Sequence, residues 1–374
     1  MKKVITVLFG TRPELIKLAP LILAAKQNPD IECEVIFSGQ HQELVRDVID
    51  FFNIEIDHEL HIMLPGQSLN QLLAKALLQI EGIFDRFPKQ RDALVVQGDT
   101  TTVLAGALVA FSKQIPLAHV EAGLRSFDMA HPFPEEGNRQ LASRLATWHF
   151  APTQQSRLNL KNEGIADQHI EVTGNTVVDA VLHIREFFKV KGAQSYLPVL
   201  PFKLTDNDKL LLVTAHRREN FGQGIENICQ AVKSLLVDHP EIKVVWPVHL
   251  NPGVKLVIES HFKNHKQVAL LKPLNYPELM AVLDKAFFVL TDSGGIQEEC
   301  PSFNKPVLIL RDTTERPEVV EVGAGKLVGT DIEKILSESK KLLSDPVHYQ
   351  AMADVENPFG DGLASLRILK SITV

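Results

Sequence analysis

Cysteine is scarce in this chain: Cys33, Cys229 and Cys300 are three among 374 residues, odd in number and far apart. Such a set gives neither a disulfide framework nor a metal-ligand spacing, so a reducing cytoplasm is the expected compartment. Positive charge is not in excess either. The net charge of −7 argues against nucleic acid as the main partner, although a local basic cluster could still hold a diphosphate. Long apolar runs are missing too. Met1–Lys2–Lys3 followed by Val4–Phe9 imitates a signal peptide, but Arg12, Glu14 and Lys17 interrupt it. The longest contender for a membrane span, Thr100–Ser112, stops at 13 residues and begins with three threonines, short of the ~18 a span requires. Neither G-x-G-x-x-G after the first strand nor G-x-x-x-x-G-K-[ST] occurs, so a dinucleotide or a Walker-type triphosphate is not the default ligand. No G-x-S-x-G, catalytic-cysteine arrangement or metal-type cluster is present.

What is present is a soluble globular composition, 45% hydrophobic and 23% charged. At 374 residues the chain exceeds what one core usually supports, so two domains are expected. Strand and helix alternate throughout. Lys3–Phe9, Glu34–Phe37, Ala93–Gln97, Pro116–Val120, Trp148–Phe150 and His169–Val172 read as strands of a first half. Leu210–Thr214, Lys243–Trp246, Val268–Leu271, Phe287–Thr291 and Val307–Leu310 form a second series. The helix beginning at Pro13 should kink or divide at Pro20. Residues 189–208, where Gly192, Ser195, Pro198, Pro201 and Asp206–Asn207–Asp208 occur without a period, are the candidate linker. The expected fold class is α/β: two doubly wound, Rossmann-like domains facing one cleft. The first covers 1–188 and the second 189–359; Gly362–Ile372 reads as an apolar-faced final helix.

The candidate chemistry sits at strand ends. Asp99, Glu121 and Glu135 each follow a strand or open a helix of the first half. Carboxylates brought close together should split their pKa values, which suits proton removal and delivery at one carbon. An ion-pair network with Arg125, Arg139 and Arg144 is the competing reading. Gly10–Glu14, between strand and helix, offers outward N–H groups, with Arg12 and Lys17 as cations for a phosphate or a sugar hydroxyl; a plain surface loop is the alternative. Thr291–Glu299 is the corresponding turn of the second half. There Ser293, Gly294 and Gly295 would let a diphosphate approach the backbone, with Glu299 placed to accept hydrogen bonds from a ribose; a mere helix cap is the competing reading. His216–Arg217–Arg218 puts three potential cations after a strand, which suits an anion. Arg311–Glu318 is another charged turn, equally readable as a solvated face.

In order along nearly the full length, Gly10–Glu14 with Lys17, Gly98–Thr102, His119–Arg125, Pro134–Glu136 with Asn138–Arg139, His216–Glu219, Pro247–Pro252, Ser293–Glu299 and Arg311–Glu318 match one pattern. On these eight blocks the chain resembles the non-hydrolysing UDP-N-acetylglucosamine 2-epimerases. The resemblance implies a GT-B-type, glycosyltransferase-like fold whose last helix (360–374) returns to the first domain. It implies interconversion of UDP-GlcNAc and UDP-ManNAc with no cofactor or metal. UDP leaves C1 as the C2 proton departs, giving a 2-acetamidoglucal, and then adds back; the product feeds cell-surface polysaccharide synthesis. Asp99, Glu121 and Glu135 would be the acid/base groups, with His216 and Lys17 near the sugar and diphosphate. Arg12, Ser293, Gly294, Gly295, Glu299 and Arg316 would be substrate contacts, and Leu274 and Leu279 would border the uracil. A regulatory UDP-GlcNAc site would involve Gln40, Glu43, Gln67, Arg217 and His249. A homodimer is implied on the same ground, as is closure of the two domains on the ligand. Ala215, Gly137 and the segment Ser126–His131 depart from the family pattern, and the last of these could alter loop closure. Thr11 and Glu14 favour plain UDP-GlcNAc over UDP-2,3-diacetamido-glucuronic acid. A UDP-sugar glycosyltransferase, or an epimerase of a related UDP-2-acetamido sugar, is the alternative.

Overall fold

The structure, a computed structural model, describes residues 2–41 and 45–374. It divides into two compact units: Met1–His183 with Phe359–Val374, and Ile184–Pro358.

In the first unit the strands are β1 (Lys3–Phe9), β2 (Ile31–Phe37), β3 (His58–Glu59), β4 (Ala93–Gln97), β5 (Leu117–Val120), β6 (Trp148–Ala151) and β7 (Ile170–Val172). All pair in parallel, in the order β3-β2-β1-β4-β5-β6-β7. Both faces of such a sheet are covered by helices, which is why its strands read as unbroken apolar runs. Leu8, Leu94, Val96 and Leu117 pack with Ile80 and Val103 in one core. The chain direction reverses between β1 and β4, so the turns after these strands flank the crevice where α/β sheets bind ligands.

The second unit repeats the scheme with β8 (Lys209–Thr214), β9 (Ile242–Pro247), β10 (Val268–Leu271), β11 (Ala286–Thr291), β12 (Val307–Ile309) and β13 (Gly325–Leu327). The order is β10-β9-β8-β11-β12-β13, and the reversal falls between β8 and β11. Trp246, Phe262 and Phe288 fill its core. The α/β class and the doubly wound strand order expected from the alternation are therefore present in both units.

Local features differ from the sequence reading in three places. The helix Arg12–Gln27 runs unbroken through Pro20. Leu15, Leu18, Leu21 and Ile22 on either side of the proline are fully buried, and that packing outweighs the missing N–H. The edge strands β3 and β13, two and three residues long, carry no apolar run and left no strand signal. The helix Thr176–Lys191 continues past the beginning of the candidate linker.

The end of the chain is fixed to the first unit. The helix Ala364–Thr373 packs against Arg12–Gln27. Asp179 accepts from the N–H groups of Ala364 (3.3 Å) and Ser365 (2.7 Å), satisfying donors that a helix start leaves open. The Asn175 N–H donates to the Phe359 carbonyl at 2.6 Å.

Candidate active site

The turn after β1 is closed by a capping box. The Glu14 carboxylate accepts from the N–H groups of Thr11 (2.7 Å) and Gly10 (3.1 Å), and from the Thr100 hydroxyl (2.9 Å). Its burial is so complete that desolvation outweighs these bonds and pushes its pKa up to about 7. Thr100 is itself the cap of the helix Thr101–Ser112, accepting from the Val103 N–H at 3.3 Å. Glu14 thus ties the turn after β1 to the turn after β4.

Asp99 stands in that second turn, after Gly98, whose φ of +79° suits glycine. Arg139 holds one Asp99 oxygen through Nε (2.8 Å) and Nη2 (2.7 Å), and Asn138 donates to the Asp99 carbonyl at 2.8 Å. The Asp99 pKa is nonetheless raised. Burial is the first cause, opposed by Arg139 and reinforced by the charge of Glu121 nearby.

Glu121 follows β5 directly and has φ +64°, a conformation costly for a residue with a side chain. It is 9% exposed. Lys17, one helical turn past Pro13, forms an ion pair with it. Gln97 Nε2 donates to one oxygen at 2.5 Å and Asn175 Nδ2 to the other at 2.8 Å. His119, one residue inside β5, donates through Nε2 to the Gly98 carbonyl (2.7 Å); burial drives its pKa down to about 4, so it is a neutral structural ring.

Glu135 opens the helix Glu135–Leu145, half-buried, one turn before Arg139. Among the described residues its carboxylate accepts no hydrogen bond. Its neighbour Glu136 is the fully buried one, accepting from the Ser126 N–H (3.0 Å), Gln140 (3.0 Å) and Arg139 (3.3 Å). Arg125 is spent on Glu163, at 2.5 and 2.9 Å, and Arg144 is exposed. Of the three arginines of the competing ion-pair reading, only Arg139 touches the candidate acids. Arg12 is the first residue of the opening helix and half-buried.

In the second unit the organising group is Asp292, wholly buried after β11. It accepts from the N–H groups of His216 and Arg217 (2.8 Å each) and from Asn220 Nδ2 (2.9 Å). His216 Nδ1 lies 3.2 Å from the same carboxylate, its ring 40% exposed. Burial lowers the His216 pKa, Asp292 opposes, and Arg217 and His249 add to the lowering. The rings of His216 and His249 stack at 6.0 Å. Ser293 stands at the N-cap position of the short helix Gly294–Glu299, with no hydrogen bond from its side chain to the helix start. A side chain added at Gly295 would meet nothing within 4 Å, and one at Gly294 would meet only Arg217 Nη2, at 3.8 Å. This backbone is therefore open beside a guanidinium. Glu299 is buried in that helix, while Glu298 is engaged by Arg316. Leu274 is buried and Leu279 half-buried around Asn275, which caps the helix Tyr276–Lys285.

The residues of the expected regulatory site are dispersed over both units. Gln40 accepts from the Thr102 hydroxyl at 2.9 Å, Gln67 closes its own loop on Leu64 N–H at 3.0 Å, and His249 is exposed. Glu43 lies outside the described residues. No group of three or more His, Cys, Asp or Glu among the described residues could hold a metal ion. No described helix is long and apolar enough to cross a membrane.

Sequence reasoning used Glu14 only as part of its turn and gave no role to Gln97, Asn175 or Asp292. Thr11-x-x-Glu14 was visible as a capping box, and Asp292 as an acid directly after a strand. Nothing marked Gln97 or Asn175, whose partner is 24 and 54 residues away.

Two parallel α/β units, each with polar turns at its switch point, define a GT-B-like enzyme of the nucleotide-sugar class. The profile of the UDP-N-acetylglucosamine 2-epimerase family matches residues 23–373. The Escherichia coli K12 UDP-N-acetylglucosamine 2-epimerase is 46% identical over 99% of this chain and 98% of its own. The Neisseria meningitidis UDP-GlcNAc 2-epimerase, solved with UDP-GlcNAc bound, superposes with a TM-score of 0.90 at 42% identity, covering 99% of each chain. The Methanocaldococcus jannaschii UDP-GlcNAc 2-epimerase, solved with UDP-GlcNAc and UDP, does so at 0.81 and 34% identity over 99% of each. The chain belongs to the UDP-N-acetylglucosamine 2-epimerase family.

Proposed function

We propose that the chain interconverts UDP-N-acetylglucosamine and UDP-N-acetylmannosamine, with Asp99 and Glu121 as the proton-transfer pair at C2 of the sugar. As a member of its family the chain is an isomerase, and the glycosyltransferase alternative is not favoured. The observation that carries the residue assignment is the pair itself. Two carboxyl groups stand at the ends of adjacent strands, one surrounded by donors and the other with its pKa raised by burial and by its neighbour. Groups of opposed environment are suited to opposite proton duties.

The C2–H bond is not acidic enough for direct removal. In the proposed route the C1–O bond breaks, its electron pair leaving with the β-phosphate of UDP, while the C2 proton passes to a carboxylate. A C1=C2 double bond results. Re-addition of UDP at C1 with protonation of C2 from the other face completes the inversion. Glu135 and His216 are assigned to this proton traffic as well. His216 Nδ1 is turned to Asp292, and its Nε2 makes no hydrogen bond among the described residues. Lys17 acts by charge beside Glu121.

The open backbone at Ser293, Gly294 and Gly295, with Arg217 beside it, supports assignment of the diphosphate to this turn, where N–H groups and charge stabilise an anion. Arg12 and Arg316 are assigned as further cations, Glu299 to the ribose, and Leu274 and Leu279 to the uracil. Gln40, Glu43, Gln67, Arg217 and His249 are assigned to a second, regulatory UDP-GlcNAc contact set. Work in the cytoplasm and as a homodimer completes the proposal, the first resting on sparse cysteine, the second on family resemblance; light scattering reads the latter.

UDP-GlcNAc incubated with the protein in heavy water should yield UDP-ManNAc carrying deuterium at C2, followed by proton NMR. Unchanged UDP-GlcNAc with its C2 proton intact overturns the assignment.

A further inference from the structure

The turn between β7 and the helix Thr176–Lys191 contains a residue whose side chain is committed in two directions. Asn175 Oδ1 accepts from the Val177 N–H at 3.1 Å, capping that helix. With its oxygen so engaged, the amide nitrogen must face the other way, and it donates to Glu121 Oε1 at 2.8 Å. The backbone of Asn175 is fixed as well, through its N–H to the Phe359 carbonyl at 2.6 Å. Gln97, the last residue of β4, is 3% exposed and donates to Glu121 Oε2 at 2.5 Å. Neither amide has a charge to contribute, and neither touches another acid of the site.

We propose that Gln97 and Asn175 are positioning residues that hold Glu121, one amide donor on each oxygen with Lys17 beside Asn175 on Oε1, in a single orientation as a carboxylate ready to accept the C2 proton. The inference rests on the assignment of Glu121 to proton transfer. The backbone of Glu121, at φ +64°, gives its side chain a start that few packed positions would impose, and two fixed donors then set where both oxygens point. Hydrogen bonds to the charged form of an acid favour that form. Removing a donor from a charged acceptor should cost about 10–100-fold in rate.

The test uses Asn175→Asp and Gln97→Glu. Asp at 175 keeps an oxygen to cap the helix, so the fold is retained, but turns the donor toward Glu121 into an acceptor. The charged or titratable groups around Glu121 are Lys17 from the first helix, Asp99 and its partner Arg139, and His119 from β5. None of them is altered. Expected are a kcat lowered about 10–100-fold, a KM within a few-fold of wild type, and an acidic limb of the kcat–pH profile moved to higher pH. The Glu121 carboxyl, followed by carbon-13 NMR titration, should move in the same direction. Unchanged kcat and pH profile in both variants, at unchanged melting temperature, overturns the proposal. So does equal loss of kcat and melting temperature with no pH displacement, which would make the amides merely structural. Should Asn175→Asp not fold, Gln97→Glu decides alone. Failure of the functional assignment is read separately: wild-type protein would then exchange no deuterium at C2, whereas the NMR titration of Glu121 would still report on the amides.

Discussion

Each unit sets a buried carboxylate directly after a central strand, and the two are held differently. Asp292, after β11, is enclosed by two backbone N–H groups and Asn220, all from the one segment that follows the neighbouring strand β8. Glu121 is held by three side chains, Lys17, Gln97 and Asn175, brought from three separate parts of the first unit. Backbone donors fix the path of a chain, and a carboxylate that satisfies them is part of the scaffold. Side-chain donors fix a carboxylate without shaping the turn, which leaves its charge available to chemistry. The contrast fits Asp292 to the architecture around His216, and it supports the proposal that Glu121 transfers protons.

Four substitutions sharpen or break that contrast. Asp99→Asn removes the titratable partner of Glu121 and should lower kcat about 10²–10⁴-fold with the fold intact, read by turnover and circular dichroism. Asp292→Ala strands two N–H groups and Asn220 and should cost about 3–5 kcal/mol in denaturant melts, with activity lost through the fold. An Asp292→Ala protein of wild-type stability would erase the distinction.

Glu34 is a buried carboxylate with no assigned chemistry. Burial alone would raise its pKa, but hydrogen bonds from Arg91 and Thr6 outweigh it and hold the group at about 2 instead of 4.5. The folded value lies below the unfolded one. The stabilisation is therefore complete above the unfolded value and fades as pH falls toward the folded one. Glu34→Gln should cost about 3 kcal/mol near neutrality, with turnover per folded molecule unchanged. Thermal melts from pH 7 down to 3 should show a flatter profile than wild type. Smallest is Ser68→Ala, at the exposed cap of the helix Leu69–Arg86, which should cost about 1 kcal/mol and leave kcat untouched.

The fold was legible because parallel strands covered on both faces read as apolar runs, and β4 and β10 appear with the ends the alternation gives them. β3 and β13 were not, because two or three edge residues need no apolar run. The same division applies to the site. Asp99, Glu121 and the Ser293 turn stand at strand ends, a position that sequence periodicity can locate. Their partners cannot be located that way. Arg139 reaches Asp99 across 40 residues and Asn175 reaches Glu121 across 54, pairings that exist only once the sheet has formed. Lys17 is an example: its cationic character was legible as a contact for a phosphate or a sugar hydroxyl, but its ion pair with Glu121 was not. Pro20 shows the reverse: the local signal for dividing the helix does not prevail, since Arg12–Gln27 is one helix with Pro20 inside it.

Exchange at the sugar C2 in heavy water, measured by proton NMR for Glu121→Gln beside the wild-type protein, meets the central claim most directly. Loss of exchange by about 10²-fold or more, in variant protein shown by circular dichroism to be folded, is the predicted result. A folded Glu121→Gln protein that exchanges C2 at the wild-type rate would contradict it.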